Sequence, residues 1–247
     1  MRYFLELAYR GAPFHGWQVQ PGVVTIQSTI EYALRRLTGR DVPVTGAGRT
    51  DAGVNARMMV AHLDLPDDFP IGPTFMRSLN AICGPDIALR RLVPVAPDAH
   101  ARFDATARTY RYMVHTAKDP FACALSWQAP PGLDFDAMNA AAATLIGRRD
   151  FTSFSKLHTD VKTNICDLRS ARWIALDATH MAFEIVADRF LRNMVRAVVG
   201  TLVDVGRGKL DTAGLQAIVE ARDRCAAGTS MPPGPLFLWQ VDYPYPF

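Results

Sequence analysis

Apolar and polar positions recur along the chain in patterns that lay out most of its elements. Residues 3–9 read as a strand, and Gly11, Pro13, Gly16, Pro21 and Gly22 punctuate the loop after it. Ile26, Ile30, Ala33, Leu34 and Leu37 then fall at helical spacing, with Thr25 placed as N-cap and Gly39 just past the end. Met59, Ala61, Leu63 and Leu65 alternate with Val60, His62 and Asp64, the signature of a half-buried strand. A second run begins with a strand over 108–115, with Tyr110, Tyr112 and Val114 on one face. An Ala-rich helix over 135–146 ends at Gly147, and strands follow over 171–176 and 181–187. Phe190, Met194, Ala197, Val198, Thr201, Leu202 and Val205 mark a helix ending near Gly206. Leu215, Ile218 and Val219 mark another, and residues 236–243 close the chain as a strand.

Strands and helices interleave without a strict βαβ rhythm, which predicts an α+β fold of two sheet-bearing halves. The Pro-containing connection over 94–105 is the expected joint, giving a first half over 1–104 and a second over 105–247.

Composition narrows the class. At 49% hydrophobic and 21% charged residues over 247, the chain has the make-up of a globular protein, and disorder, collagen and coiled coil are excluded. No apolar run approaches the roughly 18 residues of a membrane-spanning helix. Glu6 interrupts what would otherwise pass for a signal-peptide segment, so a cytoplasmic protein is expected. Cys83, Cys123, Cys166 and Cys225 lie too far apart for a zinc or redox motif and read as reduced, mostly buried thiols. Histidines 15, 62, 100, 115, 158 and 180 form no close ligand pair, so no metal is expected and a metal-dependent hydrolase finds no support. The net charge is only +3, but Lys118, Lys156, Lys162 and Lys209 are the sole lysines among 27 basic residues. An arginine bias suits phosphate binding and stacking and so points to nucleic acid, although GC-rich coding DNA produces the same bias.

The most informative stretch is GAGRTDAGVNA, Gly46 to Ala56. A phosphate-binding P-loop needs Gly-Lys-Ser/Thr, whereas Gly48 is followed by Arg49-Thr50-Asp51. A dinucleotide fingerprint from Gly46 needs glycine where Asp51 stands. An acid there repels a pyrophosphate, so no nucleotide cofactor is expected. Two readings remain for Asp51: a turn residue bonded to its own backbone, or a carboxylate presented to a ligand beside Arg49.

This block and five others resemble the TruA family of tRNA pseudouridine synthases in order and spacing across nearly the whole chain. They are Tyr9-Arg10-Gly11 with FHGWQ (Phe14 to Gln18), GRTDAGV (Gly48 to Val54), ARFDATARTYRY (Ala101 to Tyr112), DFTSF (Asp150 to Phe154), FLRNMVRAVVG (Phe190 to Gly200) and Val241-Asp242-Tyr243-Pro244. The resemblance implies the pseudouridine synthase fold, with an extended antiparallel-rich mixed sheet and a central basic cleft. It implies a cofactor-free isomerase converting uridine to pseudouridine at positions 38, 39 and 40 of the tRNA anticodon arm, acting as a homodimer. Its rival is a noncatalytic RNA-binding protein, against which the intact Asp51 argues.

On the family pattern Asp51 is the catalytic aspartate, Arg196 its cationic partner and Tyr110 the ring against the target base. Burial alone would neutralise such a carboxylate, so a cation must offset desolvation. Arg189, Arg192 and Arg196 fall at i, i+3 and i+7, one stripe of the expected helix, and the apolar neighbours of Arg196 suggest partial burial. Arg49 is expected to hold the flipped nucleotide, with Arg108 and Arg111 as phosphate contacts and Tyr112 as a packing neighbour. Two departures from the family pattern are Arg10, where aspartate is common, and Asn55, where histidine is common. Arg10 adds a charge suited to RNA, and Asn55 tolerates turn conformations.

Overall fold

The computed structural model describes residues 1–122, 124–156 and 163–247; Cys123, His158 and Lys162 lie outside them. In chain order the elements are β1 (Arg2–Tyr9), α1 (Ile26–Thr38), β2 (Thr45–Gly46), β3 (Asn55–Asp64), α2 (Pro73–Cys83), β4 (Ile87–Pro94), β5 (Ala107–His115) and β6 (Trp127–Gln128). There follow α3 (Phe135–Ala143), β7 (Gly147–Asp150), β8 (Ile165–Ala175), β9 (His180–Ala187), α4 (Met194–Gly206), α5 (Thr212–Ala221) and β10 (Leu236–Asp242). They form two compact units: Met1–Thr106 with Phe237–Phe247, and Ala107–Leu236. Both mix helices with mainly antiparallel ladders, the α+β class expected from the sequence.

In the first unit β1 lies between β3 and β4, antiparallel to both, and β10 joins the far side of β3 in parallel. Phe4, Leu5 and Leu7 of β1 are fully buried. Glu6, buried among them, is tolerated because Arg90 and Arg91 of β4 reach it at 3.2 and 2.7 Å. The α1 helix starts where Thr25 and Ser28 form a capping box and stops at Gly39 in the left-handed conformation. Its Ile26, Ile30, Ala33 and Leu34 form the buried stripe.

The second unit runs β5–β9–β8–β7 through antiparallel ladders, with β6 parallel to β5. Eleven of the thirteen residues of α4 are buried, leaving only Arg196 and Asp204 partly accessible. A helix apolar on nearly all sides belongs inside its unit.

Several expectations change. The apolar pattern marks neither α2 nor β4, and the expected second half includes 237–247. β10 instead pairs with β3, and Tyr243 Oη donates to the Ala101 carbonyl at 2.6 Å, so these residues pack with the first unit. The helix over 135–146 ends at Ala143. The helix expected from Phe190 begins at Met194, because Asn193 takes a left-handed φ of 67° that no continuous α-helix allows. Arg189 and Arg192 therefore precede the helix, and the three-arginine stripe does not form. Cys83 and Cys166 are buried, which pushes their thiols up to about 11 and about 12, whereas Cys225 is exposed. No helix among the described residues is long and apolar enough to cross a membrane.

Candidate active site

The Asp51 loop closes a hairpin. β2 pairs with β3 at Thr45↔His62 and Gly46↔Ala61, and Ala47 N–H donates to the Val60 carbonyl at 2.8 Å. Ahead of the aspartate, Thr50 is buried, its Oγ1 lies 2.9 Å from Tyr9 Oη, and its carbonyl accepts from Trp17 N–H at 3.1 Å. Behind it, the Asp51 carbonyl accepts from Val54 N–H at 3.1 Å, closing a turn whose third residue, Gly53, has φ +78°. A positive φ there is what a type II turn demands, and glycine supplies it without strain.

The far wall of the loop is Gly11. A Cβ on this residue would lie 2.1 Å from the Val54 carbonyl oxygen, so no other residue lets the two strands of chain pass. Gly11 N–H also donates to Asn55 Oδ1 at 2.8 Å in a buried setting. Asn55 is thus not a turn residue: it opens β3 and ties the loop to the chain after β1. The backbone is fixed on both sides of Asp51, whose side chain is half-buried, while Arg49 is exposed. A carboxylate on so rigid a turn can act as a nucleophile or a base without first being ordered. Arg10 adds no uncompensated charge, because its Nε pairs with Asp86 at 2.7 Å.

In the second unit the expected residues lie on β5 and α4. Alternation along β5 puts Arg108, Tyr110 and Tyr112 on one face and Arg111 on the other. The Tyr110 ring stands edge-on to Phe190, 5.1 Å between centroids at 83°, and is partly accessible. Arg108 Nη1 donates to the Asp188 carbonyl at 2.8 Å. Arg111 instead grips Glu184 of β9, its Nε and Nη2 at 2.9 and 2.7 Å from Oε2, while Arg172 takes Oε1 at 2.8 Å. Burial of Glu184 works against ionisation, but the two guanidiniums outweigh it and hold the carboxyl below its usual range.

Arg196 is partly buried, as expected. Its Nε donates to the Met231 carbonyl, and its own carbonyl accepts from Met231 N–H at 3.1 Å. Tyr112 is fully buried and donates to the neighbouring Pro232 carbonyl at 3.2 Å; burial raises its hydroxyl above the usual range, partly opposed by the Arg196 charge. Sequence reasoning missed the supports: Tyr9, Thr50 and Asn55 in one unit, Phe190 and Met231 in the other. Tyr9, Thr50 and Phe190 each lie inside one of the six sequence blocks, the signal the sequence offered for them, whereas Met231 lies in none.

The family profile described as tRNA pseudouridine synthase matches residues 141–244. Among curated relatives, tRNA pseudouridine synthase A of Parabacteroides distasonis is 54% identical over 245 residues, 98% of this chain and 96% of that protein. The protein of the same name from Bacteroides thetaiotaomicron is 54% identical over 98% of this chain and 91% of its own length. That from Bradyrhizobium diazoefficiens is 40% identical over 98% and 99%. Identity of this extent over nearly the whole of each chain places the protein in the TruA family of tRNA pseudouridine synthases, a family of isomerases.

Proposed function

We propose that the protein isomerises uridine to pseudouridine in tRNA, at positions 38, 39 and 40 of the anticodon arm, with Asp51 as the reacting carboxylate. Family membership supports uridine isomerisation in tRNA. The observation that carries the role of Asp51 is its seat on a turn pinned through Thr50, Val54, Gly11 and Asn55, with its own side chain only half-buried.

The isomerisation breaks the bond from the ribose anomeric carbon to uracil N1, turns the base, and forms a bond from the same carbon to uracil C5. C5 then loses its proton and N1 gains one. Nothing is oxidised or reduced, so the chemistry calls for no redox cofactor. Asp51 begins it either by attacking the anomeric carbon or by removing the proton beside it, and both routes need the carboxylate ionised. The family pattern gives Arg196 as the residue whose positive charge keeps such a carboxylate ionised when water is excluded.

Tyr110 offers a partly accessible ring for stacking on the flipped uracil. Flipping costs a few kcal/mol, which contacts from the exposed Arg49 offset. Arg108, partly accessible on the Tyr110 face of β5, is assigned the phosphate contact. Arg111, engaged with Glu184 on the opposite face, serves the pairing of β5 with β9.

Mapping pseudouridine in tRNA from cells lacking the protein tests the reading. Plain uridine at 38, 39 and 40, restored to pseudouridine by the wild-type gene, is the expected result; unchanged pseudouridine at all three would overturn it.

A further inference from the structure

The orientation of Arg196 is set from outside its own helix. After the 3-10 turn Arg224–Ala226, residues 227–232 run along α4 as a strap. Gly228 N–H donates to Thr201 Oγ1 at 2.9 Å, and that hydroxyl donates to the Ala197 carbonyl at 2.9 Å. The Thr229 carbonyl oxygen occupies the space beside Gly200, where a Cβ would lie only 1.8 Å from it. Ser230 Oγ accepts from Asn193 Nδ2 at 2.6 Å and from Arg224 Nη2 at 2.8 Å. Arg224 Nη1 is 3.2 Å from both the Ala227 and Gly228 carbonyls. The strap then meets Arg196 twice through the backbone of Met231 and receives the Tyr112 hydroxyl at Pro232.

A guanidinium is planar, so fixing Nε on the Met231 carbonyl fixes the plane and direction of its two terminal nitrogens. A strap that shifts carries that carbonyl with it. We infer that Arg224 is a positioning residue for the reaction: its fork holds the strap, and the strap aims the Arg196 guanidinium. The inference rests on the role proposed above for Arg196. Sequence spacing gave no hint of it, because Arg224 reaches Arg196 through the strap from Ala227 to Met231, a tertiary arrangement.

Steady-state kinetics on tRNA test it, with variants that disturb the strap in two independent ways. Arg224→Ala removes the fork, and Gly200→Ala pushes the Thr229 carbonyl away without removing any polar group. Each is expected to lower kcat on the order of tenfold to a hundredfold, with KM changed by less than about threefold. Arg224→Lys keeps the charge but not the fork, so it folds as wild type and is not expected to restore kcat. In an Arg196→Ala background, Arg224→Ala is expected to cause no further loss, whereas a purely structural contribution would subtract in both backgrounds. Unchanged kcat in Arg224→Ala and Arg224→Lys, beside an Arg196→Ala enzyme whose kcat is lowered but still measurable, would overturn the positioning role alone. Wild-type turnover by Arg196→Ala would instead overturn the reading of Arg196 on which it rests.

Discussion

Tyr9 Oη and Thr50 Oγ1 lie 2.9 Å apart in the buried floor beneath Asp51, joining the end of β1 to the residue before the aspartate. A buried hydroxyl that loses its partner costs about 1–2 kcal/mol. Tyr9→Phe is therefore expected to lower the unfolding free energy by about that much and to lower kcat, because the turn is no longer anchored. Denaturant unfolding measures the first, and an unchanged midpoint would show that the bond carries no stability.

Gly11→Ala should do more damage than its size suggests. The added methyl would overlap the Val54 carbonyl, 2.1 Å from the new Cβ, and relief requires moving the backbone beside Asp51. Overpacking of this kind costs about 1–3 kcal/mol. The expected outcome is a folded protein with weakened stability and a kcat loss out of proportion to it; equal activity per folded molecule would contradict the rigid-turn account.

Tyr110 separates ring from hydroxyl. Stacking on a base is worth about 1–3 kcal/mol by alanine substitution. Tyr110→Ala is expected to weaken tRNA binding by that amount, while Tyr110→Phe binds within about twofold of wild type because its ring remains against Phe190. Fluorescence anisotropy with labelled tRNA measures both, and equal binding by all three proteins would remove the ring from the substrate contact.

His62 makes stability depend on pH. It is buried in β3, its Nδ1 accepts from Ala101 N–H at 3.1 Å, and its pKa is pushed down to about 4, first by burial and then by the neighbouring charges of His100 and Arg2. The unfolded chain takes up a proton near pH 6.5 that the folded state refuses, so stability present above about pH 6.5 is lost as pH falls toward 4, by up to about 3 kcal/mol. The carboxyls of Asp64 and Glu184, lowered by their arginine partners, lose their contributions only below the normal carboxylate range. His180, raised by Asp177 and Asp119, acts in the opposite sense, its contribution disappearing as pH rises through its folded value. Unfolding free energy measured from pH 4.5 to 7 should slope in wild type and flatten in His62→Gln; identical slopes would refute the assignment.

Local signals reached some parts of this molecule and not others. The α1 helix was legible because its stripe, its Thr25 cap and its Gly39 stop all lie in one short window. α2 has Gly72 as N-cap with no capping side chain, and β4 carries Arg91 where the alternation of Ile87 and Leu89 calls for an apolar residue; Arg90 and Arg91 make sense once Glu6 is seen across the ladder. The misplaced start of α4 turned on one dihedral angle, that of Asn193, which hydrophobic spacing cannot report. Among the candidate residues, Asp51, Tyr110 and Arg196 stand out through their sequence blocks. Their supports, Thr50 under Asp51, Phe190 beside Tyr110 and Met231 on Arg196, arise from tertiary contacts, which composition and periodicity do not encode.

The role proposed for the Asp51 carboxylate in the isomerisation is tested by tritium release from tRNA carrying uridine labelled at carbon 5. Wild-type protein should release the label as C5 gives up its proton. Asp51→Ala should release none above background while still binding tRNA, and should unfold within about 1 kcal/mol of wild type, as suits a partly accessible loop residue. Tritium release by Asp51→Ala at a rate near wild type would contradict the account.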